Sequence, residues 1–311
     1  PDDCGSTSPS TAWIAIAAST AEPPARSISR PAAAAWGLAA EIIGHARSAE
    51  TRAVARELFC DRVCETAAEA VQGADLVVLA VPIGAMGAIA AEIAPHLKPG
   101  AVVTDVGSVK GAVVEAVAPH IPPGVHFIPG HPMAGTEYSG PRSGFATLFQ
   151  NRWWLLTPGA ETDAAELARL RSLLEGIGAK VDTMDVAHHD LVVAVVSHAP
   201  HLIAYTMVGV ADHMRRVSQS EIVQYSAAGF RDFTRIAASD PTMWRDVFLH
   251  NKEAVLEILG RFTEDLSALQ RMIRWGDGEG LFALFTRNAT RLATIASAVQ
   301  HLSLIHISEP T

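Results

Sequence analysis

Apolar and polar positions follow two different rhythms along this chain, and the change between them falls near residue 185. Before it, short apolar runs recur: WIAIA (13–17), EIIGH (41–45), DLVVLAV (75–81), AVVTDV (101–106), VHFIPG (125–130), WWLLTP (153–158) and AKVDTM (179–184). Their nearly continuous apolar character predicts strands buried on both faces. Between them lie stretches with helical spacing at 48–58, 84–94, 110–120 and 163–178. The last of these opens on Asp163 and Glu166 at capping-box spacing and closes on glycine. Such alternation predicts a parallel sheet with helices on both sides. Beyond Asp185 the strand-like runs stop. Ser218 and Glu221 repeat the capping-box spacing, and Asp240 before Pro241 marks a helix start. The stretches 240–274 and 279–300 predict long amphipathic helices. The fold class expected is an α/β domain over residues 1–184 followed by an all-α domain over 185–300. The helical half has more apolar faces than one thin layer can bury, which predicts pairing as a homodimer.

The two ends depart from this rhythm. Residues 1–35 are rich in Ala, Ser, Pro and Thr, and the run HLSLIHISEPT (301–311) is expected to break the last helix as a non-native tail. The 311 residues carry 24 basic and 33 acidic side chains, a formal charge of −9 with no basic stretch. That balance argues against nucleic acid or an anionic membrane as partner. The longest uncharged apolar run, Leu76 to Ala91, is interrupted by Pro82, Gly84 and Gly87 and so predicts strand, turn and helix instead of a membrane span. No basic region precedes the first apolar run, so a cytoplasmic protein is expected. Three cysteines, Cys4, Cys60 and Cys64, form no disulfide framework. Cys60 and Cys64 are spaced for one helical turn but lack further ligands nearby, so no metal site is expected.

Candidate chemistry clusters where apolar strands end, the edge of an open α/β sheet that faces ligands. After the second strand stand His45, Arg47 and Ser48, with no carboxylate to hold ribose hydroxyls. Arg47 and Ser48 could accept a 2′-phosphate or simply start a helix, so both NAD and NADP stay open as cofactor. The turn at Ala80, Val81 and Pro82 is placed to line the nicotinamide side. The run DVGSVKG (105–111) sets Asp105 toward the cofactor and gives Ser108 a hydroxyl at the crevice, or a helix cap. In HPMAGTEYSG (131–140), His131 stands before proline and a small-residue turn; such a loop can hold an imidazole rigidly as a general base near neutral pH, or His131 is one ordinary histidine among thirteen. In the helical half, SHAPHL (197–202) gathers Ser197, His198 and His201, and GFRDFTRIA (229–237) places Arg231 and Arg235 on one helix face. An arginine there can grip a carboxylate, or pair with Asp232 or Asp240. Trp244 is expected in the core.

Taken in order, DLVVLAVP, DVGSVKG, HFIPGHPMAGTEYSG, SHAPHL and AAGFRDFTRIAASDPTMWRDV resemble the prephenate and arogenate dehydrogenase family, over about residues 36–300. The last run is most similar to the bacterial cyclohexadienyl dehydrogenase branch. The resemblance implies a Rossmann-type dinucleotide-binding domain, a helical dimerisation domain, and oxidative decarboxylation of prephenate to 4-hydroxyphenylpyruvate or of arogenate to tyrosine. By the resemblance His131 is the base, Ser108 orients it and the substrate hydroxyl, and Arg235 binds a substrate carboxylate. Ser197, His201 and Thr136 belong to the substrate pocket, with His201 bearing on substrate choice. Two departures stand out. Where the family carries a Gly-rich loop after the first strand, this chain has AASTAEPPAR without glycine, expected to be a local reading-frame replacement. No chorismate mutase segment is expected upstream and no regulatory domain after Gln300, so feedback is expected to act at the active site. A β-hydroxyacid dehydrogenase would instead need a catalytic lysine in the helical half, where Lys252 is the only one. The damaged N-terminal region keeps an inactive cofactor-fold protein as a further alternative.

Overall fold

The computed structural model describes residues 13–18, 39–135, 141–213 and 228–305. Thr136, the Ser218–Glu221 pair, most of the glycine-free stretch and the last six residues lie outside them. Six strands form one sheet: β1 (Trp13–Ala18), β2 (Glu41–Ala46), β3 (Arg62–Cys64), β4 (Leu76–Ala80), β5 (Val102–Asp105) and β6 (His126–Phe127). Their order is β3-β2-β1-β4-β5-β6. Helices α1 (Ala49–Leu58), α2 (Ala67–Val71), α3 (Ile83–Ile93) and α4 (Lys110–Val117) link them. The pairs β2–β3, β4–β5 and β5–β6 are parallel, as crossover helices require.

The first strand corrects the expectation of a wholly parallel sheet. β1 is antiparallel to both neighbours, with Trp13 opposite Ala46 and Ala80 and Ala18 opposite Glu41. The end of β1 therefore lies beside the start of β2, away from the edge where β2, β4 and β5 finish. The apolar alternation in WIAIAA fits a sheet slot in either direction. An antiparallel neighbour also needs no crossover, so nothing in the pattern selects the parallel direction.

The run 125–130 divides instead of forming one strand. The Ile128 amide still donates to Val103 of the first sheet (2.9 Å), whereas the Pro129 carbonyl accepts from Thr157 (2.9 Å). Beyond that hand-over, β7 (Gly130–Pro132), β8 (Trp153–Leu156) and β9 (Lys180–Thr183) make a second sheet, antiparallel between β7 and β8 and parallel between β8 and β9. Before β9 runs α5 (Ala164–Gly176). Asp163 caps it by accepting from Ala165 and Glu166, but Glu166 turns to Arg169 instead of completing the box. A full capping box forms at Thr66 and Glu69, at the start of α2.

Alternate residues of the strands feed two cores. Val77, Leu79 and Val103 pack on one face with Met86, Ile93, Val113 and Val117. Leu76 and Val102 pack on the other with Ile128, Trp154, Leu156, Leu170 and Leu174. Cys60 and Cys64 are buried and in no disulfide among the described residues. Cys64 is on β3 and Cys60 in the turn before it, so the expected shared helix is absent.

The second half is helical: α6 (Val186–Val193), a π-helical turn (Ala194–His198), α7 (Ala199–His213), α8 (Ala228–Thr234), a 3₁₀ turn (Arg235–Ala238), α9 (Pro241–His250), α10 (Lys252–Trp275) and α11 (Gly278–Ile305). Pro200 explains the wide turn: it has no amide for the Val196 carbonyl and its ring would clash there in a regular helix. The run Val186–His213 is long and apolar enough to cross a membrane. Its His189, Asp190 and His198 nevertheless bond inside the protein. The helix expected over 240–274 breaks at Asn251, whose side chain is bonded elsewhere. The last helix continues to Ile305, past the expected break at 301. Two compact units result, Pro1–Val255 and Leu256–Thr311. The last strand ends at Thr183, and the first unit runs on to Val255, with Trp244 and Val247 of α9 in the core of the sheet. Replacing Leu156, wholly buried in the second core, by alanine should cost about 2–5 kcal/mol, measured as a shift in urea unfolding.

Candidate active site

The sheet edge where β2, β4 and β5 end collects most of the expected residues. At β5, the Asp105 carboxylate is completely buried. One oxygen accepts from the Gly130 amide (3.0 Å); the other accepts from the Gly107 amide (2.8 Å) and from the Lys110 ammonium. Both oxygens are taken inside the protein. This corrects the expectation that Asp105 faces a cofactor.

Lys110, also completely buried, went unnoticed in the sequence because VKG reads as an ordinary helix start. Its ammonium bridges Asp105 and the Gly130 carbonyl (2.5 Å), tying the end of β5 to the strand that carries His131. Burial pushes its pKa down, while Asp105 pulls it back up. Gly130 must be glycine. A Cβ there would come within 2.7 Å of the Trp154 indole nitrogen and 3.1 Å of the Asp105 carbonyl.

His131 lies in β7 and not in a loop, and it is buried. Its Nδ1 meets Nε2 of His189 at 2.9 Å. Ser108, half-exposed in the turn before α4, is not the partner of that nitrogen. The partner of that nitrogen is His189, from the run VAHHDL (186–191). Burial holds the His131 pKa well below the ordinary 6.5, with the Lys110 charge and the neighbouring His189 and His198 pushing the same way. His131 is therefore neutral at neutral pH.

Three more polar side chains come from the helical half: Asn251, His198 and His201. The Asn251 amide nitrogen bonds Nδ1 of His198 (3.0 Å) and the Asp190 carbonyl (2.8 Å). Burial lowers His198 to about 4, despite the opposing charge of Asp190. His201 donates from Nδ1 to the Ser197 carbonyl (2.9 Å) and stacks on Trp244 at 3.7 Å between ring centroids. Burial lowers its pKa as well. Ser197 and His198 belong to the π turn, and Trp244 is buried as expected. Arg235 is exposed and begins the 3₁₀ turn, so it does not continue the helix of Arg231. That turn packs on α7, where Tyr205 donates to the Ser239 carbonyl (2.8 Å).

At the end of β2, Arg47 and Ser48 are exposed. The Ser48 hydroxyl accepts from the Thr51 amide (3.1 Å), so it caps α1. Ala80 ends β4, Val81 is buried, and Pro82 opens α3. Lys252 is exposed beside Glu253 at 3.2 Å, which removes the catalytic lysine that a β-hydroxyacid dehydrogenase would need.

A sheet of Rossmann order with a neutral, buried histidine beyond its strand ends defines a dinucleotide-dependent dehydrogenase. Family models agree on its kind. Residues 32–183 match the prephenate dehydrogenase nucleotide-binding domain and 185–287 its dimerization domain. The chain belongs to the prephenate dehydrogenase family. It is 43% identical over 225 residues to the cyclohexadienyl dehydrogenase of Zymomonas mobilis, covering 72% of this chain and 76% of that one. It is 34% identical to the Bacillus subtilis prephenate dehydrogenase, covering 69% of this chain but only 58% of that longer protein. The crystal structure of Aquifex aeolicus prephenate dehydrogenase with hydroxyphenyl propionate and NAD+ matches at a TM-score of 0.75 and 32% identity, covering 84% of this chain and 92% of that one.

Removing one partner of a buried ion pair leaves the other uncompensated. Lys110→Met should therefore destabilise the protein by about 3–5 kcal/mol, read from urea unfolding, whereas a loss below about 1 kcal/mol would mark the pair as dispensable.

Proposed function

We propose that this chain oxidises and decarboxylates prephenate to 4-hydroxyphenylpyruvate, and arogenate to tyrosine, as a cytoplasmic homodimer. The observation that carries this reading is the neutral, buried His131 beyond the strand ends of the sheet. The dimerization-domain match and the exposed apolar side chains of the second unit, among them Phe262, Phe282, Phe285 and Leu292, support the homodimer.

The nicotinamide nucleotide fits these strand ends in part. Ala80, Val81 and Pro82 at the β4–α3 turn would stand along it, and Arg47 and Ser48 would lie toward the adenosine end. The reversed β1 does not bring its own end to that edge, so the described residues supply no pyrophosphate cradle there. When bound, the nucleotide would supply the hydride acceptor for the substrate carbon that bears the hydroxyl. His131 takes the hydroxyl proton as that hydride leaves. Loss of CO₂ then gives an aromatic ring, which makes the reaction effectively irreversible. In this reading Ser108 holds the substrate hydroxyl, Arg235 binds a carboxylate, and Ser197 and His201 line the pocket, while Thr136, expected there too, lies outside the described residues.

Steady-state rates with prephenate and arogenate, each with NAD and NADP, test the reading directly; no turnover in any combination would overturn it. His131→Asn should lower kcat by about 10²–10⁴-fold with little change in KM. Arg235→Gln should act mainly on affinity, raising KM by roughly 10- to 150-fold, the equivalent of about 1.5–3 kcal/mol for a charge-assisted contact. An unchanged KM would remove the clamp. The base works only when neutral, and its folded pKa lies below 6.5. As pH falls, kcat/KM should therefore hold through 6.5 and decline only below it. An acid limb centred at or above 6.5 would contradict this.

A further inference from the structure

His131 has a proton on one ring nitrogen when neutral, and only one of the two choices lets it act as a base at the other. The structure contains a chain of contacts that bears on this choice. Nδ1 of His131 is 2.9 Å from Nε2 of His189. Nδ1 of His189 is 2.8 Å from Oδ1 of Asp190. The Asp190 carboxylate accepts from the backbone amides of Lys110 (2.8 Å, Oδ1) and Gly111 (2.8 Å, Oδ2). These are the first two amides of α4, whose N-cap residue Val109 offers no side-chain acceptor.

We propose that His189 and Asp190 are positioning residues that hold the proton of His131 on Nδ1 and leave Nε2 open as the base. This rests on the reading of His131 as the general base. Asp190 can only accept. Burial pushes its carboxyl up, but the bonds from His189, Gly111 and Lys110 outweigh this and keep it below the usual carboxylate range. A His189 ring with a single proton presents it from Nδ1 to Asp190. Its Nε2 is then an acceptor, and the only proton that can occupy the 2.9 Å contact is the one on Nδ1 of His131. No proton passes down the chain during turnover. His131 gains the substrate proton on Nε2 and keeps the one on Nδ1, whose bond to His189 strengthens as the ring becomes charged.

Gly111 is part of the same device. A Cβ on residue 111 would lie 2.9 Å from Asp190 Oδ2, so glycine is what lets the carboxylate reach the helix end. The helix start fixes Asp190, Asp190 fixes the tautomer of His189, and His189 fixes that of His131.

The test combines kinetics with nitrogen NMR of the histidine rings in the full-length protein. Wild-type His131 should show a protonated Nδ1 and a bare Nε2. His189→Leu removes the acceptor and should lower kcat by about 10- to 100-fold with KM little changed, and the His131 proton should spread to Nε2. His189→Gln keeps an acceptor oxygen and should recover most of the rate and the wild-type tautomer. A proton on Nε2 of His131 in the wild type overturns the proposal without any variant, even if His189→Leu does not fold. Loss of rate in His189→Leu with the Nδ1–H tautomer retained also overturns it, because the role is then only structural. If His131→Asn retains full turnover while the tautomer pattern is as described, the base assignment fails instead of the positioning role.

Discussion

The buried pair of Lys110 and Asp105 is the contact on which the site depends. Two charges without solvent are costly to bury, and the cost is offset only because each has further partners. Asp105 accepts from two backbone amides as well as from Lys110, and Lys110 also reaches the Gly130 carbonyl. These bonds join the end of β5, the start of α4 and the strand β7. They leave little freedom in the backbone of His131, the next residue after Gly130. The same first turn of α4 receives Asp190 from the helical half. Backbone and ring of His131 are thus referred to a single helix start.

This arrangement also sets the electrostatics. Lys110 places positive charge near His131, and burial and the other histidines act in the same direction. The ring stays neutral in a place where an imidazolium would be expensive. Neutrality makes it a base, whereas an open, solvated histidine with the same neighbours in sequence would titrate near its ordinary value.

Much of this was legible beforehand. The apolar runs marked the strands, and DVGSVKG and HPMAG marked the polar residues that follow them. What they did not convey was direction and partnership. WIAIAA carries a two-residue period, which is the same read forward or backward, so the reversal of β1 left no trace in the pattern. Asp105 sits at a strand end, where a cofactor contact is the natural expectation, and only the fold of VKG back onto it shows that it is occupied. His189 and Asp190 lie in a helix whose periodicity is dominated by apolar residues. Their importance comes from β7 standing opposite them, 58 positions away along the chain in the case of His131 and His189.

The reversed first strand has a consequence for solubility. Without a strand in that slot, β2 and β4 would each expose a row of unpaired amides and carbonyls in the middle of the sheet, inviting other chains to add on. β1 fills the slot from Trp13 to Ala18 along both neighbours. A peptide of the wrong polarity can thus protect the sheet from aggregation as well as one of the right polarity, because backbone pairing has no knowledge of what the following loop must bind. In this fold, safety in solution and competence to hold a nucleotide are separate properties of the same strand.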